Sequence, residues 1–146
     1  MDSLDRAIID QLQQDGSLTN TQLAERVGLT QSPCLRRVRK LEADGVIAGY
    51  YARINPKATD QGFEVIVNAN LGAQDRETVI AFEDFVAGRS EVVEFRRMFG
   101  KPDYLIRVAV RDLEAYESFL TGTLMSAPGV ATVDSHICMK MLKGNA

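Results

Sequence analysis

The sequence predicts an α+β protein, with a three-helix, winged-type helix-turn-helix domain followed by a ferredoxin-like βαββαβ domain. Three observations carry that reading. Over the first 45 residues, apolar positions recur at helical spacing and are punctuated by Gly16, Gly28 and Gly45. After residue 62, strand and helix patterns follow in the order βαββαβ. Between these regions, Asn55-Pro56 and the polar stretch to Gly62 read as a linker, giving domains at residues 1–60 and 63–146.

Leu4, Ile8 and Leu12, with Ala7 beside them, recur at i, i+4 and i+8, and Gly16 follows as a stop. The second helix has a full start signal. Thr19 is placed to be its N-cap, Gln22 completes a capping box, and Leu18 is positioned to staple against Leu23. Leu23, Ala24 and Val27 form its buried stripe, and Gly28 ends it. Gly28-Leu29 alone separates this helix from Thr30, the cap of a third helix over residues 31–44. Pro33 falls in the first turn of that helix, where a missing N–H leaves no intrahelical bond unmade. The tight Gly-containing turn makes residues 20–41 a helix-turn-helix, whose second helix enters the major groove of duplex DNA. Val46–Ile54 reads as a short extended segment that leads into the linker, so that segment and linker together span 46–62.

The net charge of −3 argues against a polyanionic partner until its distribution is considered. Residues 1–60 hold eight basic and eight acidic side chains, whereas residues 61–146 hold nine and twelve, which accounts for the whole deficit. Within 26–40 stand Arg26, Arg36, Arg37, Arg39 and Lys40 with no acid among them, and local potential is what steers a polyanion to a surface. On a helical wheel Cys34, Leu35, Val38 and Leu41 share one side, while Ser32, Arg36, Arg39 and Lys40 share the other and Arg37 lies on the flank. A groove-reading helix needs such a separation of basic and core faces. Positions near the helix N-terminus reach base edges more readily, so Gln31, Ser32 and Arg36 are the expected base readers. Arg37, Arg39 and Lys40 are the expected phosphate contacts.

In the second domain Phe63–Leu71 alternates apolar and polar residues, and Asp75 caps a helix carrying Val79, Phe82 and Val86 up to Gly88. Val92–Met98 and Tyr104–Val110 read as strands flanking Gly100-Lys101-Pro102. Asp112 caps a helix with Leu113, Tyr116, Phe119 and Leu124, and Pro128-Gly129 turns into a last strand from Val130 to Met141. Both helices fall on one face of the sheet. The other face is expected to carry apolar side chains and to be covered by a partner subunit.

Hydrophobic content of 45% and charged content of 25% suit a soluble globular protein. No apolar run approaches the roughly 18 residues of a membrane span, and Met1-Asp2-Ser3-Leu4-Asp5 lacks signal-peptide order, so a cytoplasmic protein without membrane contact is expected. Cys34 lies on the core side of its helix and reads as a small buried hydrophobe, and Cys138 is read likewise. His136 reads as a structural or exposed histidine rather than a ligand contact. Tyr50 and Tyr51 are placed either to meet the DNA backbone or to pack between domains. No nucleophile–base pair, metal cluster or Gly-rich phosphate loop is found, so neither catalysis nor a metal is expected, and no cofactor.

Leu4-Asp5, the stretch from Leu23 to Tyr50 (LAERVGLTQSPCLRRVRKLEADGVIAGY), Gly100 with Asp103-Tyr104, Asn55-Pro56 and Pro128-Gly129-Val130 together resemble the Lrp/AsnC family of feast/famine regulators. The resemblance covers nearly the whole chain. It implies a transcription regulator whose second domain senses an effector and builds oligomers. Homodimers would join through their sheets, with tetramers or octamers beyond. It implies an amino acid or related small metabolite as effector, held by Phe99, Gly100, Lys101, Pro102, Asp103 and Tyr104, with Thr132, Asp134 and Ser135. Asp103 then has two open roles, holding the effector's ammonium or fixing the loop between strands, whereas Tyr104 is expected to pack against the sheet. This sequence departs from the family at Val133, where a small hydroxyl residue is frequent, and in its Lys101-Pro102 pair. The alternative function is an architectural protein that wraps DNA with little sequence preference.

Overall fold

The computed structural model describes residues 1–142, so the last four residues of the span 63–146 lie outside the described residues. The chain forms two compact units, Met1–Arg53 and a second from Ile54 onward. Residues 54–62, read as a linker, group with the second unit. There Pro56–Thr59 makes a turn of 3-10 helix, capped by Asn55 Oδ1 accepting from Lys57 N at 3.1 Å.

In the first unit lie α1 (Ser3–Gln14), α2 (Asn20–Arg26) and α3 (Gln31–Ala43). Asp2 and Asp5 cap α1 reciprocally, each carboxylate accepting from the other's backbone N–H. Thr19 and Gln22 do the same for α2, as their spacing predicts. Thr30 takes the N-cap position of α3, but its side chain accepts no cap hydrogen bond. Two glycines with positive φ end α2 and α3, Gly28 at 69° and Gly45 at 71°. After each, the chain reverses so that Leu29 N–H bonds Ala24 O and Val46 N–H bonds Leu41 O, both at 2.9 Å, which is the Schellman arrangement. This reversal drops Leu29 and Ile47 onto a core of Ile8, Leu23, Ala24, Cys34 and Leu41. Val46 and Ile47 form a bend, and residues 48–55, most of them in the expected extended segment Val46–Ile54, pair with no strand among the described residues.

Leu35 departs from the wheel and is 37% exposed. The buried stripe of α3 centres between Cys34 and Leu41, and Leu35 lies about 100° around the helix from Cys34. Arg37 falls closer to that stripe, about 60° on the other side, and its side chain is 29% exposed.

In the second unit β1 (Phe63–Leu71), β2 (Val92–Arg97), β3 (Tyr104–Val110) and β4 (Val130–Ile137) form an antiparallel sheet ordered β2-β3-β1-β4. Helices α4 (Arg76–Ala87) and α5 (Leu113–Gly122) start on Asp75 and Asp112, which accept from Thr78 N and Ala115 N. Val79, Phe82 and Val86 of α4, with Tyr116 and Phe119 of α5, pack on Val65, Val67, Ile106 and Val108. Strand β4 ends at Ile137 rather than Met141, because Ile137 already faces Val65 near the start of β1. Cys138 therefore lies past the strand and is exposed, contrary to the buried position expected.

The open face of the sheet carries polar pairs beside its apolar side chains. Arg107 reaches Glu64 at 3.0 Å and Glu94 at 3.1 Å, Asn68 adjoins His136, and Asn70 bonds Thr132. Ile66, Leu105, Ala109 and Val93 are apolar residues among these polar pairs, β1 alternating Glu64, Ile66, Asn68 and Asn70 on that side.

Candidate nucleic-acid interface and effector cleft

Helix α3 is fastened to its neighbours at two points. At its N-terminus, Asn20 Nδ2 donates to Gln31 O at 2.9 Å, while Asn20 Oδ1 is buried without a hydrogen-bond partner among the described residues. At its middle, Arg37 Nη1 donates to Asp5 Oδ1 at 2.7 Å and to Asp2 Oδ2 at 2.8 Å. Both carboxylates sit below their ordinary range, first through the reciprocal backbone bonds of the cap and then through Arg37.

The other basic side chains of α3 face outward. Ser32, Arg36, Arg39 and Lys40 are exposed on the side away from buried Cys34 and Leu41, and Gln31 is exposed at the start of the helix. Burial pushes the Cys34 thiol up, which suits its role as core filler. Among the described residues Arg36 and Arg39 make no ion pair, while Lys40 Nζ lies 2.5 Å from Asp44 Oδ2, an exposed contact one turn along. Tyr50 donates to Glu42 Oε1 at 2.9 Å and its ring lies against Gly16, so it packs within the first unit.

The second cluster surrounds the turn between β2 and β3. A cleft of about 360 Å³ is lined by Gln74, Arg97, Met98, Phe99, Gly100, Asp103 and Tyr104. Phe99 and Lys101 are exposed, Gly100 has φ 102°, and Pro102 is half-buried. Asp103 is the organising group. Its Oδ2 accepts from Leu71 N at 2.9 Å and Gln74 Nε2 at 2.8 Å, and Lys101 Nζ lies 3.1 Å from Oδ1. The Leu71 N–H, foremost, and then Lys101 and Gln74 hold its carboxyl below the usual range. These bonds tie the turn to the end of β1, which favours the loop-fixing role over a free carboxylate awaiting an ammonium.

Tyr104 is buried against Phe82 and Phe95, with ring centroids 4.8 Å and 5.3 Å away, and donates to Glu83 Oε1 at 2.9 Å. Burial, then Glu83, pushes its phenol up to about 12, so it stays protonated. Of the β4 residues, Thr132 alone is wired to this cluster. Asn70 donates to Thr132 Oγ1 at 2.9 Å and accepts from Asp103 N at 3.0 Å. Asp134 is exposed on the open face opposite Asn68, and Ser135 turns to the helix side, its Oγ 2.5 Å from the Tyr116 hydroxyl. Sequence reasoning missed Asn70, Gln74 and Arg97. Asn70 becomes visible only with the register, which sets it between β3 and β4. A larger hollow of about 660 Å³ near Pro56, Arg107 and Met139 holds none of the expected site residues.

A model described as the Lrp/AsnC ligand binding domain matches residues 64–146, and one described as a winged helix-turn-helix DNA-binding domain matches residues 1–48. The Bkd operon transcriptional regulator of Pseudomonas aeruginosa is 39% identical over 140 residues, covering 96% of this chain and 92% of the relative. The leucine-responsive regulatory protein of Escherichia coli is 37% identical, covering 98% and 87%. Among solved structures, a Neisseria meningitidis transcriptional regulator in complex with L-Met superposes with a TM-score of 0.92 at 32% identity, covering 99% and 93% of the chains. An AsnC family transcriptional regulator from Agrobacterium tumefaciens superposes at 0.89 with 38% identity, covering 99% and 94%.

Proposed function

The chain belongs to the Lrp/AsnC family of DNA-binding transcriptional regulators, and from that premise we propose how its two units divide the work. Helix α3 reads the major groove, with Gln31, Ser32 and Arg36 meeting base edges and Arg39 and Lys40 neutralising phosphates. Arg37 stands apart from these, because two carboxylates already hold its guanidinium. The second unit joins subunits into dimers, and these into tetramers or octamers, and takes an amino acid or related metabolite at the cleft beside Phe99, Gly100 and Asp103. The methionine complex of the Neisseria meningitidis relative supports that class of effector. The protein works in the cytoplasm and catalyses no reaction. No helix among the described residues is long and apolar enough to cross a membrane.

The observation that carries the DNA reading is the exposure of Arg36, Arg39 and Lys40 opposite buried Cys34 and Leu41. The test is the affinity for a duplex selected by the protein from a random-sequence pool, set against an arbitrary duplex at the same salt. Specific binding predicts a ratio of about 10³ or more. A ratio near one favours the architectural role instead. Arg36→Ala should cost about 1–3 kcal/mol on the selected duplex and relax the preference at one base position. Effector sensing is tested by thermal shift with each amino acid, since a ligand at 100 times its Kd adds about 2.7 kcal/mol to the folded state. The absence of any shift at millimolar concentration would remove amino acids from the effector role.

A further inference from the structure

We propose that Asp2 and Asp5 are positioning residues for DNA recognition, acting through Arg37 to set the orientation of the recognition helix. The inference rests on the reading of α3 as the groove-binding helix. Arg37 arises from the middle of α3, yet its Nη1 is shared between two carboxylates 35 and 32 residues earlier in the chain. Those carboxylates are the reciprocal cap of α1, so the guanidinium is bonded to a helix end whose two carboxylates each already accept from the other's backbone N–H. Arg37 also lies on the flank of α3, nearer the buried stripe than the outward basic face. Together with the Asn20–Gln31 contact, the pair gives α3 a second anchor, and two anchors fix a helix's rotation as well as its place. Base readout depends on that rotation, because bidentate contacts to a base edge tolerate little misalignment.

Simple electrostatics makes the opposite forecast. Two carboxylates near a polyanion repel it, so neutralising either one should tighten binding to any DNA. Asp5→Asn separates the two forecasts. Asp5 uses Oδ2 for the Asp2 N–H and Oδ1 for Arg37. An amide retains one acceptor oxygen, enough for the cap, and loses the charge that holds Arg37. The clamp predicts about fivefold weaker binding per subunit to a duplex selected from a random pool, the upper end for a half-exposed ion pair. The selected-to-arbitrary affinity ratio should fall with it, while the dependence of log affinity on log salt keeps its slope.

The experiment is a double-mutant cycle of Asp5→Asn and Arg37→Gln on the full chain, with affinity measured across a salt series for both duplexes. If the carboxylates act through Arg37, Asp5→Asn adds nothing in the Arg37→Gln background, and Arg37→Gln leaves the salt slope unchanged. Tighter binding by Asp5→Asn, additive effects, or a slope shallower by about 0.9 per subunit in Arg37→Gln overturns the proposal and makes Arg37 a phosphate contact. Circular dichroism at the assay temperature establishes that each variant is folded. Should Asp5→Asn not fold, Asp2→Asn repeats the cycle, since Asp2 is the more exposed partner of Arg37. Arg36→Ala serves as the control: if it also fails to change the affinity ratio, the α3 reading has failed rather than the clamp.

Discussion

Replacing Asp103 by Ala tests whether the cleft carboxylate is a loop anchor or an effector ligand. The side chain is 12% exposed and accepts from the part-buried Leu71 N–H at 2.9 Å. Alanine leaves that donor without its charged acceptor, which costs about 1–3 kcal/mol. The bond from Gln74 is more exposed, and the Lys101 pair, with the lysine 72% exposed, contributes little. The expected loss is therefore about 2 kcal/mol, nearly all of it from one backbone donor. For a unit of this size that lowers the melting temperature by roughly 8–16 °C, read by circular dichroism at fixed protein concentration because subunit association stabilises the folded chain. Asp103→Asn keeps an acceptor for Leu71 and should lose about half as much. The reasoning fails if Asp103→Ala melts within about 2 °C of the parent. It also fails if Asp103→Asn abolishes an amino-acid thermal shift while leaving the melting temperature intact, because the carboxylate would then be a ligand group and the loop would hold without it.

The same carboxylate has a pH signature. Its folded-state pKa is depressed, so its stabilisation is present above the unfolded value near 3.9 and is lost as pH falls through the folded value. The acid limb of the stability profile should thus be shallower in Asp103→Asn than in the parent, and equal limbs would count against the pairing. Gly129→Ala should destabilise more than Gly28→Ala. Both have φ near +70°, which costs roughly 1 kcal/mol for a side chain, but a Cβ at 129 overlaps Thr78 Cγ2 whereas the space at 28 is open. Thr78 is held by its hydroxyl bond to Asp75 at 2.8 Å and yields reluctantly. Denaturant midpoints of the two variants check the order. Lys40→Ala should weaken binding to all duplexes alike and flatten the salt slope by about 0.9 per subunit, as measured by a salt titration.

Much of this protein was legible from local chemistry. Caps at Thr19, Asp75 and Asp112, glycine stops at 28 and 45, and the alternation over Phe63–Leu71 and Tyr104–Val110 each act within a few residues. Their bonds are dictated by neighbouring backbone, so spacing alone identifies them. The separation of Arg36, Arg39 and Lys40 from Cys34 and Leu41 is local too, a consequence of 3.6 residues per turn. The sequence by itself therefore determined the element order and the outward basic face of α3.

What it left open depended on partners distant in the chain. Whether Arg37 points to solvent or to α1 turns on Asp2 and Asp5, more than 30 residues away. Asp103 became an anchor only when the β1–β3 pairing brought Leu71 N within 2.9 Å. Strand register likewise put Ser135 under α5 and Thr132 beside Asn70, and it ended β4 at Ile137. The polar pairs on the open sheet face have the same origin, since Arg107 meets Glu64 and Glu94 only across strands. Side-chain periodicity assigns a residue to a face, but which groups meet there is decided by register and packing, and these exist only in the folded chain.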